Sequence, residues 1–492
     1  MKRLLSVLIL LCALRVEAQT IDAKAVDKIM TATMTAWKIP GAAIAIVKND
    51  RVIYLKSYGV KELGKTDPVT PDTLFHIAST SKAFTTTAIS MLADEKKLSW
   101  DDPVRKHVEY FRLEDPCASQ LVTLRDITSH RTGLRAHDEL WDGTPLSREE
   151  VVRSVGFLHP SSGFRTTYRY NNIMFITAGE VVTHASGMLW DDFVRTRIFQ
   201  PLQMTHTITT DEEWNASSDR ASGYRWDAKT QTVVAQKPND STTIGSGGGI
   251  KSSARDLANW IRFQLAGGVF DGKRLVSEES LGETKKPHTV IPLEGTTREN
   301  NPESNLYAYG LGWFMHDYRG KFVVFHSGSL NGYRTHVDLL PKEQIGFVVL
   351  INVGRSAATV AMRNALIDLL TNQSPRDWNA YYLMQDAKSD QREADAKRDR
   401  ESKRVRDTHP SHALDAYAGD YKHPAYGTAK VTRDGDALVL HWNQLTLPLT
   451  HWHYDTFHAE SEADDVDEMV SFSPNGDGAI AKLTIFGEEF AR

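Results

Sequence analysis

The sequence predicts an α+β fold: an antiparallel sheet flanked by helices, joined to an all-helical subdomain and followed by a small all-β, barrel-like domain. Three observations carry this. Apolar strand-like runs lie at residues 42–47 and 52–58 and again at 321–325, 333–340 and 346–351, so one sheet is drawn from both ends of a single unit. Between them, from about 75 to 265, the pattern is mostly helical with long loops. Beyond His409-Pro410 it changes to short alternating strands separated by turn residues. A chain of 492 residues that is 41% hydrophobic can bury a large core, which excludes a disordered or fibrous protein. The formal net charge of −5 argues against a nucleic-acid partner, which needs a concentrated basic surface.

The elements follow in chain order. Lys2 and Arg3 precede an apolar run at 4–14, and Val16-Glu17-Ala18 offers small residues for cleavage. The run is shorter than the ~20 residues a bilayer span needs, so residues 1–18 read as an export signal. The protein is then periplasmic or secreted, with no stable membrane span after cleavage. Cys12 leaves with the signal, and Cys117 has no intrachain partner. Val26, Ile29, Met30, Met34 and Trp37 form a helical stripe ended by Pro40-Gly41, and Lys48-Asn49-Asp50-Arg51 turns a hairpin. A helix opens near Ser79, with Phe84, Ala88, Met91 and Leu92 on its apolar face, and another covers 357–370. Residues 386–407 hold almost nothing apolar and read as a solvated linker helix. Asp434-Gly435 and Pro474-Asn475-Gly476 turn hairpins in the final region. The expected domains are a large α+β unit at 19–385, the linker at 386–410 and an independently folding β domain at 411–492.

Three motifs carry chemistry. In Ser79-Thr80-Ser81-Lys82 a serine and a lysine three apart share a helix face, at a helix N-terminus that favours developing negative charge. That arrangement activates a serine without a histidine. Tyr170-Asn171-Asn172 is the only Tyr-x-Asn in the chain. Its phenol can share a proton with a nearby lysine, and its amide can orient that lysine and a substrate carbonyl. His326-Ser327-Gly328-Ser329 ends an apolar strand, where small residues let a substrate lie alongside and backbone N–H groups polarise a carbonyl.

The order and wide spacing of these motifs are the signature of serine β-lactamases and penicillin-binding proteins. The chain from about 25 to 370 resembles the class C β-lactamase-like serine hydrolases, which include D,D-peptidases, D-aminopeptidases and esterases. Thr123-Leu124-Arg125-Asp126-Ile127 with His130-Arg131-Thr132-Gly133-Leu134, and Ser246-Gly247-Gly248-Gly249-Ile250 with Ser253-Ala254-Arg255-Asp256-Leu257, match as well. The tail from Leu414 to Tyr421 looks like the start of the lipocalin-like β domain often appended to such enzymes. The resemblance implies a two-step acyl transfer to a small-molecule or peptide substrate, with no cofactor and no metal. Ser79 is then the nucleophile, and Lys82 and Tyr170 share the base work. Asn172 holds Lys82 and the substrate amide, and the N–H groups of Ser79 and Ser329 form the oxyanion hole. His326, where many β-lactamases have lysine, resembles the peptidase and esterase branches.

Other signals are weaker. Gly245-Ser246-Gly247-Gly248-Gly249 fits neither a dinucleotide nor a phosphate loop and reads as a mobile wall, closed by a Ser253…Asp256 capping box. His451 and His453 read as partly exposed strand residues, and Trp442, Trp452, Tyr454 and Phe457 as barrel core. A non-catalytic sensor or scaffold whose β domain binds a ligand is the alternative from another class. Homo-oligomerisation is left open by the sequence.

Overall fold

The computed structural model describes residues 21–236, 240–461 and 466–492. The proposed export signal lies outside these residues. Eight strands form an antiparallel sheet, in the order Arg51–Gly59, Gly41–Lys48, Ile345–Ile351, Tyr333–Leu340, Lys321–Leu330, Phe314–Tyr318, Tyr307–Tyr309 and Thr289–Val290. The N-terminal hairpin therefore pairs directly with the last strand of the unit, with Ala45 opposite Val348. Side chains alternate between two cores. Ala42, Ile44 and Ile46 join Phe347, Val349 and Ile351 under the helices Ala23–Trp37 and Ser356–Leu370. Ala43, Ala45 and Val47 join Val348 and Leu350 under the Ala254–Leu265 helix and the helical subdomain. Burial on both faces is why these strands read as unbroken apolar runs. The three strands between 289 and 318 were not visible in the sequence, because each is only two to five residues long.

The charged segment belongs to a longer helix, Trp378–Ser402, anchored by buried Trp378 and Tyr382 and exposed along most of its second half. Its end is clasped by the last domain: Arg400 donates to Asp467 at 2.6 Å, and Arg404 donates to the Trp452 carbonyl at 2.9 Å. Eight strands from Gly419–His423 to Glu488–Ala491 then close a barrel, sealed where Lys422 pairs with Ala491. Tyr421, Leu440, Leu447, Phe457, Val470, Phe472 and Leu483 are buried in its core. Trp442 is buried there too, whereas Tyr454 is exposed on a turn and Trp452 is only partly buried beneath Arg404. Cys117 is exposed and unpaired. Among the described residues no helix is long and apolar enough to cross a membrane.

Candidate active site

The site is built where the Ser81–Asp94 helix meets the sheet. Phe75–His76 pairs with Lys251–Ser252, and the Ile77 N–H donates to the Ile250 carbonyl at 3.1 Å. Ala78 is then forced to φ +46°, a left-handed conformation that an alanine adopts only under constraint. The turn Ala78–Thr80 runs into the Ser81–Asp94 helix. Ser79 is thereby presented at the helix head, partly exposed between buried Ala78 and Thr80.

Lys82 is fully buried one turn along. Its Nζ lies 3.0 Å from Ser79 Oγ, 2.7 Å from Asn172 Oδ1 and 2.6 Å from the Gly247 carbonyl. Burial pulls its ammonium down to about 7, against the opposing pull of Asp138. The Tyr170 ring centroid is 4.9 Å from Nζ. Burial pushes the Tyr170 phenol well above its ordinary value, and its hydrogen bond to Ser79 only partly offsets this.

Several contacts hold Tyr170 and Asn172 in place. Thr123 and Asp126 form a reciprocal helix cap, and buried Asp126 also binds Arg131 at 2.5 Å and Arg165 at 2.6 Å. Residues 165–171 then run beside 130–131, with Arg169 N–H donating to the His130 carbonyl at 2.8 Å. The Asn171 N–H donates to His130 Nδ1 at 3.1 Å. The orientation of the Asn172 amide is fixed by Asp138, whose carboxylate can only accept: Asn172 Nδ2 donates to it at 2.9 Å, which turns Oδ1 toward Lys82.

The Lys321–Leu330 strand outruns its Phe314–Tyr318 neighbour, so His326 to Leu330 pair on one side only, with Tyr333–Val337. Gly328 is what lets this strand approach the serine. A Cβ there would lie 2.1 Å from the Ile77 carbonyl. Since His326 and Gly328 face the helix head, Ser327 and Ser329 turn their exposed side chains to the other face and offer the site backbone groups. His326 is buried, with Nδ1 2.7 Å from the Ser327 carbonyl and Nε2 3.0 Å from the Tyr309 hydroxyl. A carbonyl only accepts, so Nδ1 carries the proton and Nε2 accepts from Tyr309. Burial, then the field of Lys82, pulls this histidine down to about 3. It is neutral across the working pH range, and both its nitrogens are already engaged.

Sequence reasoning missed four contributors. Asp138 follows the His130–Leu134 segment in a loop without a motif. Tyr309 sits on a three-residue strand. His130 packs against Tyr170 and Tyr309, with centroids 4.3 and 4.7 Å away. The fourth is the Gly247 carbonyl. Residues 244–254 are buried, and Thr85 Oγ1 donates to the Ser246 carbonyl at 2.7 Å, so this glycine-rich segment is a fixed floor and not a mobile wall. Only half of the expected capping box forms, because Asp256 turns to Thr207 and the His206 N–H instead. Among the described residues no group of His, Cys, Asp or Glu is arranged to hold a metal ion.

Comparison with known proteins follows the same division of the chain. The Beta-lactamase family matches residues 26–372, and a domain of unknown function (DUF3471) matches 403–492. The chain is 30% identical over 435 residues to "Unguisins hydrolase ungD'" of Aspergillus campestris, covering 84% of this chain and 78% of that protein. It is 30% identical over 337 residues to "Protein flp" of Staphylococcus aureus, covering 67% and 62%. In fold it is similar to an octameric penicillin-binding protein homologue from Pyrococcus abyssi (TM-score 0.63, 23% identity, 96% of this chain and all of that one). A class C beta lactamase from Rhodobacter sphaeroides covers 71% of this chain and 99% of its own, with TM-score 0.57 and 22% identity.

Proposed function

The chain belongs to the beta-lactamase family, and on that premise we propose that it is a serine hydrolase that cleaves amide or ester bonds through an acyl-enzyme on Ser79. The bonding of Lys82 carries this reading. A neutral amine has two N–H donors and one lone pair. Asn172 Oδ1 and the Gly247 carbonyl can only accept, so they take both donors, and the lone pair is left for the Ser79 hydroxyl. With its ammonium at about 7, Lys82 is free to be that neutral base near neutrality.

Ser79 Oγ then bonds to the substrate carbonyl carbon as its proton passes to Lys82. The oxyanion is received by the N–H groups of Ser79 and Ser329. The carbon–nitrogen or carbon–oxygen bond breaks as the Tyr170 hydroxyl gives its proton to the leaving group and is reprotonated from Lys82. Water releases the acyl group by the reverse sequence. The raised phenol supports Tyr170 as a relay rather than as the acylation base.

The substrates are uncharged at the acyl side. Among the described residues, Lys82 is the cation whose charge acts on both His326 and His130, and it is committed to the serine. A carboxylate entering here meets a neutral histidine, so β-lactams are poor substrates and neutral esters or blocked D-residue amides better ones. The name of the Aspergillus relative, a hydrolase, supports the reaction class. We further place the protein outside the cytoplasm, on the N-terminal segment alone. A panel of nitrocefin, D-amino-acid amides and short neutral esters, run on the native protein and Ser79→Ala, tests the reading. Turnover of the neutral substrates should vanish in the variant, and efficient nitrocefin turnover would refute the substrate class.

A further inference from the structure

The barrel touches the wall of the active site at a polar seam, formed by two turns and the start of its last strand. Arg135 Nη2 donates to the Phe486 carbonyl at 2.9 Å, to Glu488 Oε1 at 2.9 Å and to the Tyr426 hydroxyl at 3.2 Å. His137, 1% exposed, places Nδ1 2.7 Å from the same hydroxyl. Tyr426 is itself fixed from inside the barrel. Its carbonyl accepts from Trp442 Nε1 at 2.9 Å, and its N–H donates to His423 Nδ1 at 3.3 Å.

The segment gripped in this way is the one that orients the catalytic amide. The Arg135 carbonyl accepts from Asn171 Nδ2. His137 is held at φ +50°, a left-handed conformation costly for a residue with a side chain, and Asp138 follows it directly. Asp138 accepts from Asn172 Nδ2 at 2.9 Å and from Trp141 Nε1 at 2.7 Å, and Asn172 Oδ1 accepts from Lys82. An unbroken path of hydrogen bonds and three consecutive backbone units thus joins barrel residues to the lysine amine.

We propose that the barrel is part of the catalytic apparatus: Tyr426 and Glu488 are positioning residues that clamp residues 135–138, so that Asp138 keeps the Asn172 amide oxygen on Lys82. Without the clamp His137 can relax its backbone, Asp138 moves off Nδ2, and the amide is free to turn. Lys82 then loses one of the two acceptors that leave its lone pair to Ser79. Water entering the loosened wall also raises its affinity for the proton. The titratable groups facing Lys82 are Asp138, Tyr170, His130 and His326, and both histidines are held neutral by burial. The barrel therefore acts on the base through Asp138 and through exclusion of water.

This inference rests on Lys82 being the base, and the experiment separates the two claims. The full-length protein, Tyr426→Phe, Glu488→Gln and the double variant are each treated with a fluorophosphonate serine probe between pH 5 and 9. Rates are read from intact mass, and folding is checked by thermal melting. The clamp predicts a double variant that melts cooperatively and labels roughly tenfold more slowly at pH 7. Its acid limb should move up by about half a pH unit or more. Val470→Ala, a core change on another strand of the barrel, should leave that limb in place. A folded double variant with the native rate and the native limb overturns the clamp and leaves the proposed function standing. A native protein that takes no label at all overturns the proposed function itself. Should the double variant fail to fold, the two single variants are decided by the same limb.

Discussion

Under the proposed function Lys82 is the residue on which the chemistry turns, and its environment makes a signed prediction. Its folded value of about 7 lies below the ordinary 10.5, so the unfolded chain binds more protons between those values. This group therefore makes stability rise with pH from about 7 to about 10.5. Lys82→Met should remove that slope in chemical denaturation followed at several pH values. Acylation should rise through pH ~7 and then level. Lys82→Arg should be about as damaging as Lys82→Ala, since a guanidinium keeps its proton, and substantial activity in the arginine variant would make Lys82 a fixed charge only. His326 makes the opposite kind of prediction. An unperturbed imidazole would titrate near ~6.5 and bind carboxylates in acid. Held near 3 and bonded at both nitrogens, it should leave the ratio of kcat/KM for a neutral ester and its carboxylate-bearing analogue flat from pH 5 to 9. A ratio that bends near pH 6.5 would contradict the assignment. Ser79, Lys82, Tyr170 and Asn172 were legible in the sequence because each stands in a short motif with fixed local spacing. Asp138, Tyr309 and the Gly247 carbonyl were not. They meet the site only in space, and a backbone oxygen has no residue type to betray it.

At the scale of elements, the proposed mechanism needs the Lys321–Leu330 strand to approach the helix head closely enough to receive an oxyanion. Gly328→Ala would force the strand off Ile77, because the new Cβ would sit 2.1 Å from its carbonyl. The expected loss is about 10²–10³ in acylation rate, with a smaller effect on the melting temperature. Near-native labelling of that variant would show that Ser329 does not serve the oxyanion. The central strands Gly41–Lys48, Tyr333–Leu340 and Ile345–Ile351 were readable because they are buried on both faces and uninterrupted, and the hairpins because Asn49-Asp50 and Asp434-Gly435 mark them. The glycine-rich segment misled for a physical reason. Glycine is as useful for packing backbone tightly against backbone as for mobility, and here Gly249 sits where a Cβ would lie 2.8 Å from Gly245. The linker helix was readable in its charged half only. Its anchor, Trp378 and Tyr382 four apart on one face, precedes the change in composition.

For the whole molecule, the sequence foretells a separate β domain but not where it docks, since Arg135 and His137 lie far along the chain from Tyr426 and Glu488. A chain ending at Gln385 keeps Trp378 and Tyr382 under the sheet and should stay soluble. It should label as slowly as the double variant of Tyr426 and Glu488, and native-rate labelling would free the catalytic unit from the barrel. Whether a neutral Lys82 makes Ser79 the nucleophile is decided on the intact protein. Fluorophosphonate labelling is followed by peptide mapping at a series of pH values. One adduct is expected, on Ser79, formed at a rate that rises through pH ~7. An adduct on another serine, or a rate on Ser79 indifferent to pH across that range, would contradict it.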